Sequence, residues 1–436
     1  MTQVVTPVLG CRSGNERHGR TVGRECPERP PIGAGKVPRM NRTRASLAST
    51  LLLAALAASG LAVNPDPVKL GAVNGVGGLH PQKTPPEYDR IDGAVIYDHT
   101  AGTKVGDAVF GTVIADMERD APGRCSHGGP VCLQYPNGDI VAFYANTSDH
   151  NEDGWSEYAF SRDGGRTWNK YNKFKYSHEA YQKDPKRPAW VEEALVTKNG
   201  TIVVFVTHFG DGGRTRSGIM RSRDNGKTWT DFEPIDGGFV GYPAAVAVAG
   251  GTSYVLFDSN GENKQPGPHV LYASTDNGRS WRKRSTLTLD NDKWYGALCV
   301  MGDGRLLAGA YETKDEDHFH YCISSDQGRT WGRQERAYVD KKVRDPELAY
   351  LAGKYYLHGR SGHSGPGKHR FVLYQSDDGI RWKEGVVVSS DPRSPDGYSH
   401  NCIIRKKGAP DELMVEYSII YQGRDTNEYV FFIKPE

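Results

Sequence analysis

The residues best suited to chemistry lie in short motifs that combine aromatic rings with acids, histidines and arginines. The motifs WVEEAL, VGYPAA, KWYGAL, VRDPEL and GYSHNC each open an apolar stretch, and they supply Glu192, Tyr242, Trp294, Tyr295, Arg344, Asp345, Tyr398 and His400. His127 and Arg360 occupy comparable positions at strand ends. Aromatic faces stack on sugar rings, arginine binds carboxylates and carboxylic acids transfer protons. Brought together, these side chains predict a carbohydrate site.

The architecture that would bring them together is indicated by an eight-residue repeat. Four segments fit S-x-D-x-G-x-[ST]-W, at 161–168, 222–229, 274–281 and 324–331. A fifth, QSDDGIRW at 375–382, keeps Asp377, Gly379 and Trp382. In each copy we expect Asp to cap backbone N–H groups of a hairpin turn, Gly to supply a positive φ, and Trp to pack between neighbouring sheets. These residues are therefore structural.

The tryptophans of successive copies lie 61, 52, 50 and 51 residues apart, and each copy follows three apolar strands separated by turns. Four-stranded antiparallel units repeated radially predict an all-β, six-bladed β-propeller over residues 88–436. The last unit lacks an outer strand, and IDGAVIY at 91–97 can supply it, so that an N-terminal strand closes the ring. In a propeller the motifs that open the inner strands, from WVEEAL to GYSHNC, converge on the central axis.

The repeated segments resemble the Asp boxes (BNR repeats) of the sialidase, or neuraminidase, superfamily. This resemblance covers residues 88–436 and implies a six-bladed propeller. It also implies an exo-acting, retaining glycoside hydrolase that releases terminal sialic acid or a related acidic sugar. Asp-box propellers also include polysaccharide lyases and non-catalytic glycan-binding proteins, and both alternatives stay open.

The resemblance can be followed residue by residue. Tyr398 in DGYSHNCII is similar to the segment that carries the family's nucleophilic Tyr, and Asp149 in NTSDHNEDGW stands where its acid/base Asp is expected, with Asp153 in reserve. Arg360 in YYLHGRSG matches one of three arginines that bind the substrate carboxylate. A lyase would instead pair His127 or His208 with Tyr398 and use Arg360 to neutralise a uronate.

The chain departs from the family pattern at three places. Gly128, beside His127, stands where the family's Arg-Ile-Pro motif has Arg, although Pro130 matches its Pro. Tyr311 and Glu312 stand where a second triad arginine is expected. No Glu opens the fourth blade, so the resemblance leaves the role of the assisting acid to Glu192 or Glu193. Arg344 and Arg124 are candidates to complete a different carboxylate clamp.

The N-terminal region has the composition of a targeting segment. Residues 1–45 hold nine basic and three acidic residues, a net charge of +6. The stretch 40–62, MNRTRASLASTLLLAALAASGLA, has a basic start, an apolar centre and small residues before Ala62. It predicts a signal peptide starting near Met40, a secreted or periplasmic protein, a disordered or wrongly assigned extension at 1–39, and a linker at 63–87.

Composition narrows the remaining classes. A formal net charge of +2 over 436 residues argues against nucleic acid as a partner, and a mean hydropathy of −0.62 argues against a stable membrane span. The cysteines of the expected mature chain, Cys125, Cys132, Cys299, Cys322 and Cys402, show no metal-ligand spacing. We therefore expect no metal and no cofactor, a glycan or other acidic carbohydrate as substrate, and a monomer.

Overall fold

The fold is described from a computed structural model. It describes residues 89–91, 93–99, 111–126, 129–148, 153–211, 214–235, 241–258, 267–361, 370–389, 398–421 and 424–436. The predicted extension, signal peptide and linker at 1–39, 40–62 and 63–87 lie outside these residues, and so do the predicted site residues His127 and Asp149.

Within the described residues the chain is almost entirely β-structure. Three strands precede the first blade: β1 (Asp89–Ile91), β2 (Ala94–Tyr97) and β3 (Thr112–Asp116). Two short helices are α1 (Met117–Asp120), which follows β3, and α2 (Lys175–Lys183), which lies between the first two blades. The side chain of Asp116 caps α1 by accepting a hydrogen bond from the backbone N–H of Arg119 at 3.1 Å.

Five blades are formed by consecutive strands. Blade 1 contains β4 (Val131–Gln134), β5 (Ile140–Asn146), β6 (Trp155–Ser161) and β7 (Asn169–Lys173). Blade 2 contains β8 (Ala189–Val196), β9 (Ile202–Asp211), β10 (Arg214–Ser222) and β11 (Glu233–Pro234). Blade 3 contains β12 (Tyr242–Ala249), β13 (Thr252–Asp258), β14 (His269–Ser274) and β15 (Arg282–Thr286).

The remaining blades complete the ring. Blade 4 contains β16 (Trp294–Val300), β17 (Leu306–Tyr311), β18 (His318–Ser324) and β19 (Glu335–Tyr338). Blade 5 contains β20 (Arg344–Leu351), β21 (Lys354–Arg360), β22 (Phe371–Ser376) and β23 (Val386–Ser389). Blade 6 is built on β24 (Ser399–Ile404), β25 (Glu412–Tyr421) and β26 (Arg424–Pro435).

The predicted closure by an N-terminal strand is confirmed. In blade 6, β2 pairs antiparallel with the end of β26, with Ala94 opposite Pro435 and Tyr97 opposite Phe432. A second N-terminal strand, β3, pairs with the beginning of β26, which the sequence did not indicate. Two short strands therefore share the outer position, and the ring is closed by hydrogen bonds between the two ends of the fold.

The hydrophobic core is divided among the seams between blades. Each seam has its own cluster of buried aliphatic and aromatic residues, and the box tryptophans lie in these clusters. Trp382, for example, is 1% exposed and packs with residues of blades 4 and 5, such as Phe319 and Tyr374. This confirms that the box Trp packs between neighbouring sheets, where burial of apolar area stabilises the ring.

The Asp boxes have the expected turn geometry. In the first box, Asp163 accepts hydrogen bonds from the Ser161 hydroxyl at 2.8 Å and from the Thr167 backbone N–H at 2.9 Å. Gly165 has a φ of +89°, a region that suits glycine because it has no Cβ. The same hydrogen bonds recur in the boxes of blades 2, 3 and 4.

The fifth box is one residue shorter than its sequence alignment suggested, and its capping residue is Asp378 rather than Asp377. Asp378 accepts hydrogen bonds from the Ser376 hydroxyl at 3.0 Å and the Arg381 backbone N–H at 2.8 Å. Asp377 instead forms an ion pair with Lys354 at 2.6 Å. The serine–aspartate contact is kept, and the deletion falls between Asp378 and Gly379.

Candidate active site

A cavity of about 260 Å³ opens on the propeller axis. Seven residues expected there from the sequence line it: Glu192, Tyr242, Trp294, Tyr295, Asp345, Tyr398 and His400. They come from blades 2 to 6, so the convergence of the inner strands brings together motifs that are far apart in sequence.

Four inner strands deliver residues to the cavity through β-bulges. The antiparallel register shifts between Val191 and Glu193 in blade 2, and equivalent shifts surround Ala244, Tyr295 and the Asp345–Pro346 pair in blades 3, 4 and 5. All the bulged residues line the cavity. A bulge turns an extra side chain out of the regular alternation. Tyr295 and Asp345 have positive φ values of +44° and +48°, and backbone strain of this kind collects at functional sites.

Tyr398 lies beside the predicted arginine. The guanidinium carbon of Arg360 is 4.9 Å from the centre of the Tyr398 ring, a cation–π contact. Arg360 itself does not line the cavity: it is 5% exposed and forms an ion pair with the equally buried Asp345. The positive charge of Arg360 therefore lies against the Tyr398 ring, and the Asp345 carboxylate is the ion-pair partner of that arginine.

Aromatic rings form two walls of the cavity. Trp190 and Phe209 are tilted against each other with ring centres 4.6 Å apart, and Tyr242 packs 5.7 Å from Phe209. On the other side Tyr295 lies 6.3 Å from Tyr398. Tyr295 is 39% exposed, and the electrostatic effect of the neighbouring Tyr398 holds its pKa well above the ordinary value. Such walls suit the flat, apolar faces of a sugar ring.

Glu192 has the electrostatics of a proton donor. Burial and the adjacent Glu193 raise its pKa to about 8, so that it is mostly protonated at neutral pH. A Cβ at Gly129 would stand 3.1 Å from the Glu192 carboxylate and 3.0 Å from the Val191 carbonyl, and φ is +49° there. A glycine at this position lets the chain of blade 1 pass close to the acid.

Glu347 is a second acid of the same kind, and its place in the motif VRDPEL predicts it on the axis beside Asp345. Burial, followed by the charges of Glu193 and Asp345, raises its pKa well above the ordinary value. It lines the cavity directly after the bulge in blade 5. Two carboxylic acids with raised pKa values in one cavity are an arrangement that functional sites use for proton transfer.

His400 is held in one tautomer and positions Glu193. Its Nδ1 accepts a hydrogen bond from the backbone N–H of Cys132 at 3.1 Å, so the ring hydrogen must be on Nε2. Nε2 lies 3.0 Å from Glu193 Oε2 and therefore donates to that carboxylate. Both ring nitrogens are used in the neutral form, which makes His400 a positioning residue.

Two other arginines are occupied away from the cavity. Arg344 does not line it: one guanidinium nitrogen donates to the Tyr311 hydroxyl at 2.8 Å, and Nε lies 3.5 Å from Glu316. Tyr311 in turn stacks on Tyr295 at 6.1 Å. Arg124 donates to the Asn146 side chain at 2.6 Å. Arg344 thus supports the cavity wall from behind, and its proposed contact with substrate stays a prediction.

Two aromatic lining residues were missed by reasoning from the sequence. Trp190 and Phe209 both belong to the aromatic wall. Trp190 lies two residues before Glu192, and Phe209 follows the end of an apolar run. Predicting that both side chains face the axis requires the exact first and last residues of β8 and β9.

Two groups of described residues have the spacing of metal ligands: Glu312, Asp315 and His320, and Asp315, Asp317 and His318. Both lie in blade 4, outside the cavity. Lys293 lies 2.9 Å from Glu312, and Arg336 lies 3.3 Å from Asp315. Lys293 and Arg336 thus balance the negative charges of Glu312 and Asp315, and the contacts form an ion-pair network.

The fold and the cavity define an Asp-box propeller with a polar and aromatic axial site. The family model for the BNR repeat-like domain matches residues 112–239 and 240–402, and the chain belongs to this family. The resemblance to the sialidase superfamily is confirmed for the fold by solved structures. No curated protein matches the chain in sequence.

Three solved structures illustrate the similarity. A protein of unknown function from Dyadobacter fermentans has a TM-score of 0.61 and 15% identity, covering 74% of this chain and 98% of its own. The Hadza microbial sialidase Hz136 has a TM-score of 0.58 and 13% identity, covering 80% and 74%. A leech intramolecular trans-sialidase has a TM-score of 0.52 and 12% identity, covering 76% and 70%. At these identities the likeness concerns the fold.

No helix among the described residues is long and apolar enough to cross a membrane.

Proposed function

We propose that the protein is an exo-acting glycoside hydrolase whose axial cavity binds the terminal sugar of a glycan. The observation that carries the proposal is the shared cavity of Tyr398, against the Arg360 guanidinium, and Glu192, with its pKa near 8. A pocket of about 260 Å³ suits one sugar unit at a chain end better than the interior of a polysaccharide.

The chemical roles follow from the side chains present. Glu192, protonated at neutral pH, donates its proton to the leaving glycosidic oxygen. Tyr398 passes its phenol proton to the Glu193 carboxylate and attacks the anomeric carbon, so that a covalent intermediate forms as the bond to the leaving oxygen breaks. Glu193 returns that proton when the tyrosyl oxygen later leaves. Water then displaces the tyrosyl oxygen with retention of configuration, and the carboxylate of Glu192 takes the proton of that water. Asp149, outside the described residues, is the acid/base that the family resemblance implies, so Glu192 and Asp149 are alternatives for this role.

Terminal sialic acid or a related acidic sugar is the substrate expected from the family resemblance. Arg360 would have to bind its carboxylate, and in the structure this arginine is ion-paired with Asp345. Sialosides are accordingly one arm of the test, beside glycosides of uncharged sugars.

The test is hydrolysis of a panel of fluorogenic glycosides by the full chain and by Tyr398→Phe and Glu192→Gln. Both variants should lose at least about a hundredfold in kcat on the substrate that wild type cleaves. Tyr338→Phe and Glu179→Gln, which change the same groups outside the cavity, should not. Retained hydrolysis in both cavity variants would overturn the catalytic roles of Tyr398 and Glu192. Sugar binding without hydrolysis would instead identify a glycan-binding propeller.

Export belongs to the same proposal. The segment 40–62 supports secretion or delivery to the periplasm, where glycans are accessible. Mass spectrometry of the protein recovered from its native host should give a mature N-terminus close to residue 63. An intact segment 40–62 in the recovered protein would contradict export by cleavage.

A further inference from the structure

Three acids around the cavity have polar partners within the protein. Glu193 accepts a hydrogen bond from His400 at 3.0 Å, and Asp258 lies 2.8 Å from His269. Asp345 is ion-paired with Arg360. Among the lining residues that the structure describes there is no lysine and no arginine, whereas five are acids: Glu192, Glu193, Asp258, Asp345 and Glu347.

Among the described lining residues no cation is available to a substrate anion, and Arg360, which does not line the cavity, is ion-paired with Asp345. Arg360 and Asp345 are each about 6% exposed in their side chains. Breaking a buried ion pair exposes its partner as an uncompensated charge, which is costly. The two remaining acids, Glu192 and Glu347, have raised pKa values, which favours their protonated form as hydrogen-bond donors.

A sugar carboxylate would therefore meet carboxylates on several sides. Like charges placed together at a binding site cost several kilocalories per mole and serve to reject the wrong partner. Hydroxyl groups, in contrast, can both donate to the ionised acids and accept from the protonated ones. The aromatic walls formed by Trp190, Phe209 and Tyr242 supply stacking surface for an uncharged ring.

We infer that the cavity selects a terminal sugar without a carboxylate, so that an uncharged glycoside is the substrate class. The inference rests on the proposed function and specifies its substrate. Asp345 acts as the specificity-determining residue, because its ion pair withholds Arg360 from substrate anions.

The inference is tested by binding, which does not depend on catalysis. Calorimetry with the full chain compares methyl glucoside with methyl glucuronide and methyl galactoside with methyl galacturonide, pairs that differ only in the group at C6. N-acetylneuraminic acid is added as a third acidic ligand. In at least one pair the uncharged member should bind at least about tenfold more tightly.

A variant then tests the role of Asp345. Asp345→Asn removes the carboxylate that holds Arg360, and it should narrow or reverse the preference, chiefly by improving binding of the acidic member. Asp303→Asn, on an exposed turn of blade 4, is the matched control and should leave the ratio unchanged. If Asp345→Asn does not fold, the wild-type affinity ratios between uncharged and acidic glycosides still test the selection.

The outcomes separate the two proposals. Equal or tighter binding of a uronide or of N-acetylneuraminic acid by wild type would overturn the charge-based selection, whatever the enzyme cleaves. No binding of any sugar would overturn it as well. Preferential binding of an uncharged sugar without hydrolysis of its glycosides would retain the selection and overturn the proposed catalysis.

Discussion

The acids of the Asp boxes and Glu192 in the axial cavity have pKa values shifted in opposite directions. At the Asp boxes, hydrogen bonds from Thr167 and Thr228 lower the pKa of Asp163 and Asp224 to about 2, and these acids are accessible to water. In the axial cavity, burial raises the pKa of Glu192 to about 8. The same residue class thus stabilises a turn in the boxes and stores a proton in the cavity.

The boxes and the cavity also differ in how far a short sequence segment can predict them. Each box makes its contacts within eight residues, so every copy can be recognised by itself. The cavity is assembled from blades 2 to 6, each contributing different residues. The repeated boxes therefore indicate the fold, whereas the residues that differ from blade to blade form the site.

The largest expected effect is on catalysis in the cavity. Glu192→Gln removes the proton donor and should lower kcat by about 10²- to 10⁴-fold on the glycoside that the panel identifies. Because the protonated acid is the active form, the wild-type rate should fall as pH rises through about 8. Rate measurements from pH 5 to 10 check both points, with Glu179→Gln as the control. An unchanged alkaline limb in the variant would assign that limb to another group.

The next effect concerns the seams that the boxes stabilise. Trp382→Ala empties a fully buried site between blades 4 and 5 and should reduce the free energy of unfolding by about 3–5 kcal/mol. Trp168→Ala, at a partly buried position, should cost less. Urea denaturation measures both, and kcat of the folded fraction should stay near wild type. Equal losses of unfolding free energy in the two variants would contradict the claim that deeper burial of the box Trp gives more stability.

A third prediction extends the comparison to buried acids beside the cavity. Glu416 is 0% exposed, and burial, then Glu428, raises its pKa well above the ordinary value. Such an acid reduces stability increasingly as pH rises above the unfolded pKa near 4.5. Glu416→Gln should therefore stabilise the fold by about 1–2 kcal/mol at pH 8 and have little effect at pH 4. Thermal denaturation at both pH values tests this, and a loss of stability at pH 8 would contradict it.

The last prediction concerns the two adjacent acids of the fifth box, and one of them, Asp377, has the smallest expected effect. Asp378→Ala removes the acceptor of two backbone N–H groups and should cost about 1–3 kcal/mol. Asp377→Ala removes an ion pair whose acid is 62% exposed and should cost under about 1 kcal/mol. Urea denaturation of the two variants gives the comparison. The reverse order would restore the alignment suggested by the sequence.

The sequence predicted much of the fold for a physical reason. Ser161, Asp163, Gly165 and Trp168 each have a local function in a turn, so their spacing is the same in four copies. The fifth box was misaligned because either of two adjacent acids satisfies the pattern. The strand β3 was missed because residues 91–97 already filled the outer position of blade 6, and no local pattern indicated a second strand there.

The candidate site was predicted less completely. Placing Tyr398, Glu192 and Tyr295 on the axis required only the strand order. The ion pair between Arg360 and Asp345 could not be read from their separation, because it depends on the bulge that gives Asp345 a positive φ. The tautomer of His400 likewise depends on a backbone N–H from another blade.

The most direct test of the central claim is a carboxyl titration by NMR on protein with ¹³C-labelled Glu side chains. Wild type should show a glutamate resonance with a midpoint near pH 8, and Glu192→Gln should lack that resonance. Midpoints below pH 5 for every glutamate would contradict the account, because the axial cavity would then hold no protonated acid at neutral pH.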